Sequence, residues 1–146
     1  MNKKLMVRLV ERMQNLPYHQ FIGIKIVSWG EGTSQISFPA SKNNLNPYGA
    51  MHGGIYYTAC DVAAYLAAST LVPDDKVAVT TDINVSVLTS VYQGELTVKG
   101  SVIKMGKRIC FMDARIFDQD DNLIAVARVT KSIIPFAMSE LLAGND

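Results

Sequence analysis

The sequence has few of the features that reveal a function at once. Its 146 residues include two cysteines, Cys60 and Cys110, which stand alone in apolar stretches without the spacing of a zinc site or a disulfide framework. We therefore predict two buried free thiols, and we expect no metal or other cofactor. Fourteen Lys plus Arg against thirteen Asp plus Glu give a net charge of +1. Because so small a charge creates no attractive field for nucleic acid or an anionic membrane, neither is an expected partner.

The N-terminal region also lacks a continuous apolar segment. Lys3 and Lys4 precede an apolar–polar alternation that Arg8, Glu11 and Arg12 interrupt, and no A-x-A cleavage pattern follows. We therefore expect a cytoplasmic protein.

Length and composition indicate one globular domain. A hydrophobic fraction of 49% and a charged fraction of 18% are ordinary for a folded chain. We expect a single domain over residues 1–146. Apolar residues recur at helical spacing from Leu5 to Leu16, and Pro17 closes the pattern, so a short amphipathic helix is predicted within residues 1–18. Residues 139–146 are expected to form a frayed tail.

Alternating apolar residues predict about six strands. Ile22 to Trp29 and Ser34 to Phe38 are expected to form a hairpin about Gly30-Glu31-Gly32. The short links between the four later runs predict an antiparallel meander. These runs are Val77 to Leu88, Leu96 to Ile103, Arg108 to Phe117 and Leu123 to Ile134.

The longest apolar stretch, Ile55 to Val72, contains a single charged residue, Asp61. A central Asp costs about 2.5 to 3.5 kcal/mol in a bilayer, and the stretch is rich in Ala rather than Leu or Phe. We therefore predict a wholly buried helix in a soluble core, with the sheet curled around it. The part of the helix that the sheet leaves uncovered would still be apolar, so a partner subunit is expected to cover it.

Gly53 and Gly54 lie where a loop rich in Asn, Pro and Gly meets this helix. Backbone N–H groups at a helix N-terminus that carry no side chain can stabilise negative charge on a carbonyl oxygen, as in an oxyanion hole. The alternative is that the two glycines merely permit a tight turn. His52, just before them, could act as a base or anchor the loop by a local hydrogen bond, and we favour the anchor.

Asp61 is the strongest candidate for a catalytic group. A carboxylate among Ala, Val and Leu loses hydration and is seldom tolerated unless it is paired or has a task, although an exposed helix position or a structural hydrogen bond would also accommodate it. Gly53 and Asp61 are separated by eight residues, or about 12 Å along a helix, and cannot contact one reacting atom within a chain. Two antiparallel helices at a two-fold interface would bring each Gly53 towards the partner's Asp61, giving composite sites.

A set of motifs follows in a fixed order along the chain: Asn46, Gly49, His52-Gly53-Gly54, Asp61, Thr80-Thr81-Asp82-Ile83-Asn84, Gly94, Gly106-Lys107 and Thr130-Lys131. This set resembles the hotdog-fold acyl-CoA thioesterases of the PaaI-like group. The resemblance implies an α+β hotdog fold in which about six antiparallel strands wrap one long helix, and a homodimer that pairs again into a homotetramer. It also implies hydrolysis of an acyl-CoA thioester to a carboxylic acid and free CoA.

The resemblance also implies roles for particular residues. Gly53 would donate its N–H to the thioester carbonyl, and Asp61 of the neighbouring subunit would act as general base or nucleophile. Asn46 would orient water or substrate, and Thr80 would support the attacking water. Strict alternation places Thr80 on the more polar face of its strand and Thr81 on the other face, with Val77, Val79, Ile83 and Val85. Thr81 is therefore the alternative residue for support of the attacking water.

His52 completes the expected catalytic group, and Gly54 and Thr81 are expected to contact the substrate. The family also suggests that Lys107 and Arg108 hold CoA phosphates, although a solvated turn explains these two residues equally well.

Two other functions are compatible with the resemblance. A hotdog-type dehydratase or hydratase needs an acid–base pair, and only one helix carboxylate is visible. A non-catalytic acyl-CoA-binding module would not need Asp61. The acyl group itself stays open, because Tyr56, Tyr57 and several methionines suit aryl and medium-chain groups alike.

Overall fold

The computed structural model describes residues 1–138 and Glu140. Two short helices come first, a 3-10 turn over Lys42–Asn44 follows the second strand, and a third helix precedes the last four strands. The predicted frayed tail of residues 139–146 lies outside the described residues, apart from Glu140. The elements are α1 (Lys3–Gln14), α2 (Pro17–Ile22), β1 (Lys25–Gly30), β2 (Thr33–Pro39), α3 (Gly53–Ser69), β3 (Lys76–Val87), β4 (Glu95–Met105), β5 (Ile109–Phe117) and β6 (Leu123–Pro135).

The N-terminal segment contains one helix more than the sequence predicted. Asn2 caps α1, since its side chain accepts a hydrogen bond from the Leu5 N–H. Pro17 ends that helix but also begins α2, because the fixed φ of proline suits the first position of a helix. The predicted strand from Ile22 is therefore wrong, and β1 begins only at Lys25, after Gly23 has ended α2 with a φ of +81°.

All six strands form one antiparallel sheet in the order β1-β2-β4-β5-β6-β3. The predicted meander holds for β4, β5 and β6 but is wrong for β3, which pairs with β6 at the far edge. The reason is α3, which follows β2 in the chain and crosses the sheet. A helix of 17 residues spans about 25 Å, so the next strand starts well away from β2.

The sheet wraps around α3, which confirms the hotdog architecture expected from the sequence. Two residues of the sheet fix the helix. A Cβ at Gly100 of β4 would lie 2.8 Å from the backbone C and O atoms of Ala63, so only glycine allows this approach. Ser34 of β2 donates a hydrogen bond of 2.6 Å to the same Ala63 carbonyl. These contacts determine which side of α3 faces away from the sheet.

The prediction that α3 is buried on all sides is wrong for one stripe. Ten of its seventeen residues are buried, but one stripe beside β3 and β6 is partly exposed in the single chain. This stripe is polar and aromatic rather than apolar, and consists of Gly54, Tyr57, Thr58, Asp61 and Tyr65. Among the described residues, no helix has both the length and the apolar character needed to cross a membrane. Cys60 and Cys110 are free and buried, as predicted.

Candidate active site

The loop before α3 is held by its own polar side chains. The Asn46 Oδ1 atom accepts hydrogen bonds from the Tyr48 and Ala50 N–H groups, at 2.9 and 3.1 Å. Asn44 is fully buried and donates through Nδ2 to the Ile22 and Pro39 carbonyls. The Asn46 oxygen is thus used within the loop, and only its amide NH₂ is left to orient water or substrate.

The first turn of α3 leaves one backbone donor without an acceptor. His52 caps the helix, and its Nδ1 accepts from the Gly54 N–H at 3.0 Å, which agrees with the anchor interpretation. The Ile55 N–H donates to the His52 carbonyl. Within the described residues, the Gly53 N–H has no hydrogen-bond partner, and a Cβ at Gly53 would meet nothing within 4 Å. The geometry therefore separates the two glycines: Gly53 has an accessible donor and Gly54 does not.

The Asp61 carboxylate lies on the exposed stripe of α3, two turns after Gly53. Its side chain is 38% exposed, and its Oδ1 atom accepts two hydrogen bonds of 2.7 Å, one from Thr80 Oγ1 and one from Lys131 Nζ. Lys131 Nζ also donates a short hydrogen bond to Thr80 Oγ1. We call Asp61, Thr80 and Lys131 the carboxylate cluster. It joins α3, β3 and β6.

Lys131 is the buried member of the carboxylate cluster. Its side chain is 1% exposed, and its Nζ atom lies 5.6 Å from the centre of the Tyr65 ring. Burial lowers the pKa of the Lys131 ammonium, and the nearby Asp61 carboxylate opposes this effect. A buried cation held by one carboxylate and one aromatic face concentrates positive charge behind Asp61.

Thr80 and Thr81 are separated by an irregularity in β3. Thr80 pairs with Lys131 and Asp82 pairs with Thr130, so Thr81 is the extra residue of a β-bulge. The bulge turns Thr80 towards α3, whereas the exposed Thr81 donates to the Thr130 carbonyl at 3.1 Å. Val79 and Thr81 are both exposed and share a face, as predicted, but the bulge moves Ile83 and Val85 to the other face. The predicted alternation is therefore wrong beyond Thr81, because it assumed an uninterrupted strand.

The two buried cysteines next to the cluster are poor nucleophiles. Burial, together with a smaller effect of the neighbouring Asp61 carboxylate, raises the pKa of the Cys60 thiol to about 12. Burial also raises the pKa of Cys110, which pairs with Lys131 across β5 and β6. Because both thiols are protonated at neutral pH, the nucleophilic chemistry of this region falls to Asp61 or to water.

Lys107 and Arg108 lie at the exposed hairpin between β4 and β5. The Arg108 carbonyl accepts from the Ile133 N–H, two residues beyond Lys131 on β6. The hairpin thus lies at the same end of β6 as the carboxylate cluster. Binding of CoA phosphates by these two side chains stays a prediction.

The sequence interpretation missed Lys131 as a site residue. Inward-facing positions of β6 alternate as Ala127, Val129, Lys131 and Ile133, and all four are buried. A lysine at an apolar position of a period-two strand was therefore visible in the sequence and could have indicated a counter-charge for Asp61. Tyr56, in contrast, is 2% exposed and belongs to the core, so only Tyr57 of the two neighbouring tyrosines is accessible.

The arrangement can perform acid–base or nucleophilic chemistry on a polarised carbonyl. It provides an accessible carboxylate and a free helix N–H, but these lie eight residues, or about 12 Å, apart along α3. No cluster of three or more potential metal-ligating side chains is present in the part of the chain that the structure describes.

Comparison with known proteins adds family information to this geometry. Residues 48–125, which run from the loop before α3 into β6, match the model of the thioesterase superfamily. A 1,4-dihydroxy-2-naphthoyl-CoA hydrolase from Listeria monocytogenes is 27% identical over 112 residues, which cover 77% of this chain and 91% of the relative.

Solved structures show the same architecture. A thioesterase from Haemophilus influenzae superposes with a TM-score of 0.81 and 28% identity, over 87% of this chain and 88% of that one. A Streptococcus pneumoniae protein whose structure contains coenzyme A superposes with a TM-score of 0.72 and 25% identity, over 77% of this chain and 90% of that one.

Proposed function

The chain belongs to the thioesterase superfamily and is a thioester hydrolase, and from this premise we propose that it hydrolyses an acyl- or aryl-CoA thioester to the free carboxylic acid and CoA. The observation that carries the proposal is the Asp61 carboxylate, partly exposed on an otherwise buried helix and held through one oxygen. Its second oxygen, Oδ2, has no hydrogen bond from the described residues and is available for the reaction.

In the general-base route, Asp61 takes a proton from water as the water oxygen attacks the thioester carbonyl carbon. The carbonyl oxygen becomes negatively charged, and the Gly53 N–H of the partner subunit stabilises it. When the C–S bond breaks, the CoA thiolate leaves and accepts a proton, and the carboxylic acid is released. His52 supports this step by keeping the first turn of α3 in place through its contact with Gly54.

In the nucleophilic route, the Asp61 Oδ2 atom attacks the carbonyl carbon itself and CoA leaves, so that a mixed anhydride forms. Water then hydrolyses the anhydride. A single turnover in ¹⁸O-labelled water identifies this route when water cleaves the anhydride at the Asp61 carbonyl, because the label then stays in the enzyme. General-base catalysis, like cleavage at the acyl carbonyl, puts the label only in the product acid, so trapping of the anhydride with hydroxylamine separates these two cases.

The composite dimer follows from the separation of Gly53 and Asp61 along α3. One chain cannot bring both groups to one carbonyl, whereas two antiparallel copies of α3 would complete two sites. The partly exposed stripe and the adjacent edge strand β3 form the side available to a second copy. Further pairing into a tetramer, the PaaI-like group, the single-domain organisation and the cytoplasmic location stay predictions.

The substrate class rests on the relatives and on the accessible side chains. A relative named as a CoA thioester hydrolase and a neighbour with bound coenzyme A favour a CoA thioester. Tyr57, 40% exposed and one turn before Asp61, would lie beside the acyl group. An aromatic ring at this place suits aryl and alkyl groups, so a panel of both kinds is the appropriate assay.

Replacement of Asp61 tests the proposal. We expect Asp61→Asn to lower the rate of CoA thiol release by about 10²-fold or more, because the amide can neither accept the proton nor form the anhydride. The amide oxygen can still accept from Thr80 and Lys131, but the buried Lys131 loses its counter-charge. Thermal denaturation is therefore measured on the same preparation, and rates are compared for the folded protein.

The matched control is Asp120→Asn in the exposed turn between β5 and β6. It makes the same chemical change at an exposed carboxylate outside the carboxylate cluster and should keep the parental rate. If folded Asp61→Asn hydrolyses every active substrate as fast as this control, the assignment of Asp61 is wrong.

A further inference from the structure

Lys131 has no task in the reaction described above, yet its position is costly. It is the only Lys, Arg, Asp or Glu among the described residues that is buried. An ammonium loses its hydration on burial, and a single half-exposed carboxylate compensates only part of that loss. A strand that needed only to pack on α3 would carry an apolar side chain here, as it does at Val129 and Ile133.

The contacts of Lys131 are directed at one atom. Its Nζ donates to Asp61 Oδ1 at 2.7 Å and to the Thr80 hydroxyl, which itself donates to the same Oδ1 at 2.7 Å. The Thr80 hydrogen is thereby committed to Asp61 and is not available to an attacking water. Two donors from two strands thus hold one carboxylate oxygen of a helix residue.

We propose that Lys131, acting with Thr80, is a positioning residue that fixes the Asp61 carboxylate and presents Oδ2 to the attacking water or the thioester carbonyl. This inference rests on the proposed function of Asp61. It assigns Thr80 a different task from the support of water that the resemblance implied, because the hydroxyl contacts the carboxylate instead.

A positioning residue is useful here because the Asp61 side chain could otherwise rotate. The terminal torsion of aspartate is broad, so an unrestrained carboxylate samples orientations in which neither oxygen points at the substrate. A displacement of about 1 Å in a reacting group can lower a rate about 100-fold. The donors on Oδ1 come from β3 and β6, which pair directly at Thr80 and Lys131, so they are fixed relative to each other.

The test uses Lys131→Met, which removes the charge but keeps the length of the side chain. We expect kcat to fall about 10- to 100-fold, because the carboxylate loses its orientation, whereas KM should stay within about twofold. The matched control is Lys104→Met on β4, where the lysine is exposed and the same change should leave both constants unaltered. Lys131→Gln, whose amide can still donate, should retain an intermediate kcat and serves if the Met variant does not fold.

Asp61→Asn alone and the double variant Asp61→Asn, Lys131→Met complete the experiment. If Lys131 acts through Asp61, the double variant should be no slower than Asp61→Asn. If a folded Lys131 variant keeps the parental kcat and only its melting temperature falls, while Asp61→Asn is inactive, the positioning role of Lys131 is wrong and the proposed function stands. An active Asp61→Asn variant overturns the proposed function itself and the inference with it.

Discussion

The charge on Lys131 depends on pH, and this makes the carboxylate cluster sensitive to alkaline conditions. Burial lowers the pKa of Lys131 and Asp61 opposes the shift, so the lysine becomes neutral at a lower pH than the ~10.4 of a free lysine. The other titratable groups that face Lys131 are Tyr65 and Cys110. Burial raises the pKa values of both, so they stay neutral as the pH rises into the alkaline range. We expect kcat to be constant around neutral pH and to fall as Lys131 loses its proton.

A profile of kcat against pH for the parental enzyme and for Lys131→Gln measures this effect. The variant has no ammonium to lose, so its profile should lack the alkaline decline. If kcat declines at the same alkaline pH in both proteins, a group other than Lys131 causes the decline.

The residues of the site differ in how far the sequence could reveal them. Asp61 could be found because one carboxylate in eighteen otherwise uncharged residues is costly to maintain. Thr80 was identified through the resemblance. Thr81 was considered as an alternative because strict alternation was assumed, and the β-bulge that interrupts β3 could not be predicted from the sequence. Lys131 could be noticed as a lysine at an apolar position of a period-two strand, but its contact with Thr80 and Asp61 depends on the pairing of β3 with β6, which the sequence does not show.

The two glycines in the first turn of α3 differ, because the Gly53 N–H is unbonded and the Gly54 N–H donates to His52. Gly53 has open space where a Cβ would lie and a backbone φ that is not left-handed, so a side chain there should fold without strain. We expect Gly53→Val to keep its melting temperature but to block the approach of the thioester carbonyl. Loss of an oxyanion donor costs about 3 to 4 kcal/mol in the transition state, so kcat should fall far more than KM rises.

Gly100→Ala is the structural counterpart to this variant. Its Cβ would collide with the backbone of Ala63, which should lower the free energy of unfolding by about 1 to 3 kcal/mol while the folded fraction turns over normally. Thermal denaturation and single-turnover rates on the same preparations distinguish the two effects. Normal turnover of folded Gly53→Val would remove Gly53 from the mechanism.

The secondary structure was predictable where periodicity was long and uninterrupted. The long helix and the strands β4, β5 and β6 lie within a few residues of their expected bounds. The short helix Pro17–Ile22 was missed because six residues give too little periodicity to outweigh the apolar alternation that follows. The position of β3 beside β6 depends on the path of α3 across the sheet, which local sequence patterns do not encode.

At the scale of the whole molecule, the single chain contains the groups of a site without assembling them. Asp61 and Gly53 lie on the same helix at a separation that one carbonyl cannot bridge. The partly exposed stripe of α3 lies next to β3, and an edge strand with unpaired backbone groups favours association with another strand. Both features support the proposal that a second copy completes the site.

Complementation between two inactive variants measures this central claim directly. Asp61→Asn and Gly53→Val, each inactive alone, are co-expressed with different tags and the mixed dimer is purified. One of its two sites would combine the intact Gly53 of the first chain with the intact Asp61 of the second. We expect CoA thiol release at about half the parental rate per dimer. A verified mixed dimer with no more activity than the two homodimers would contradict the composite site.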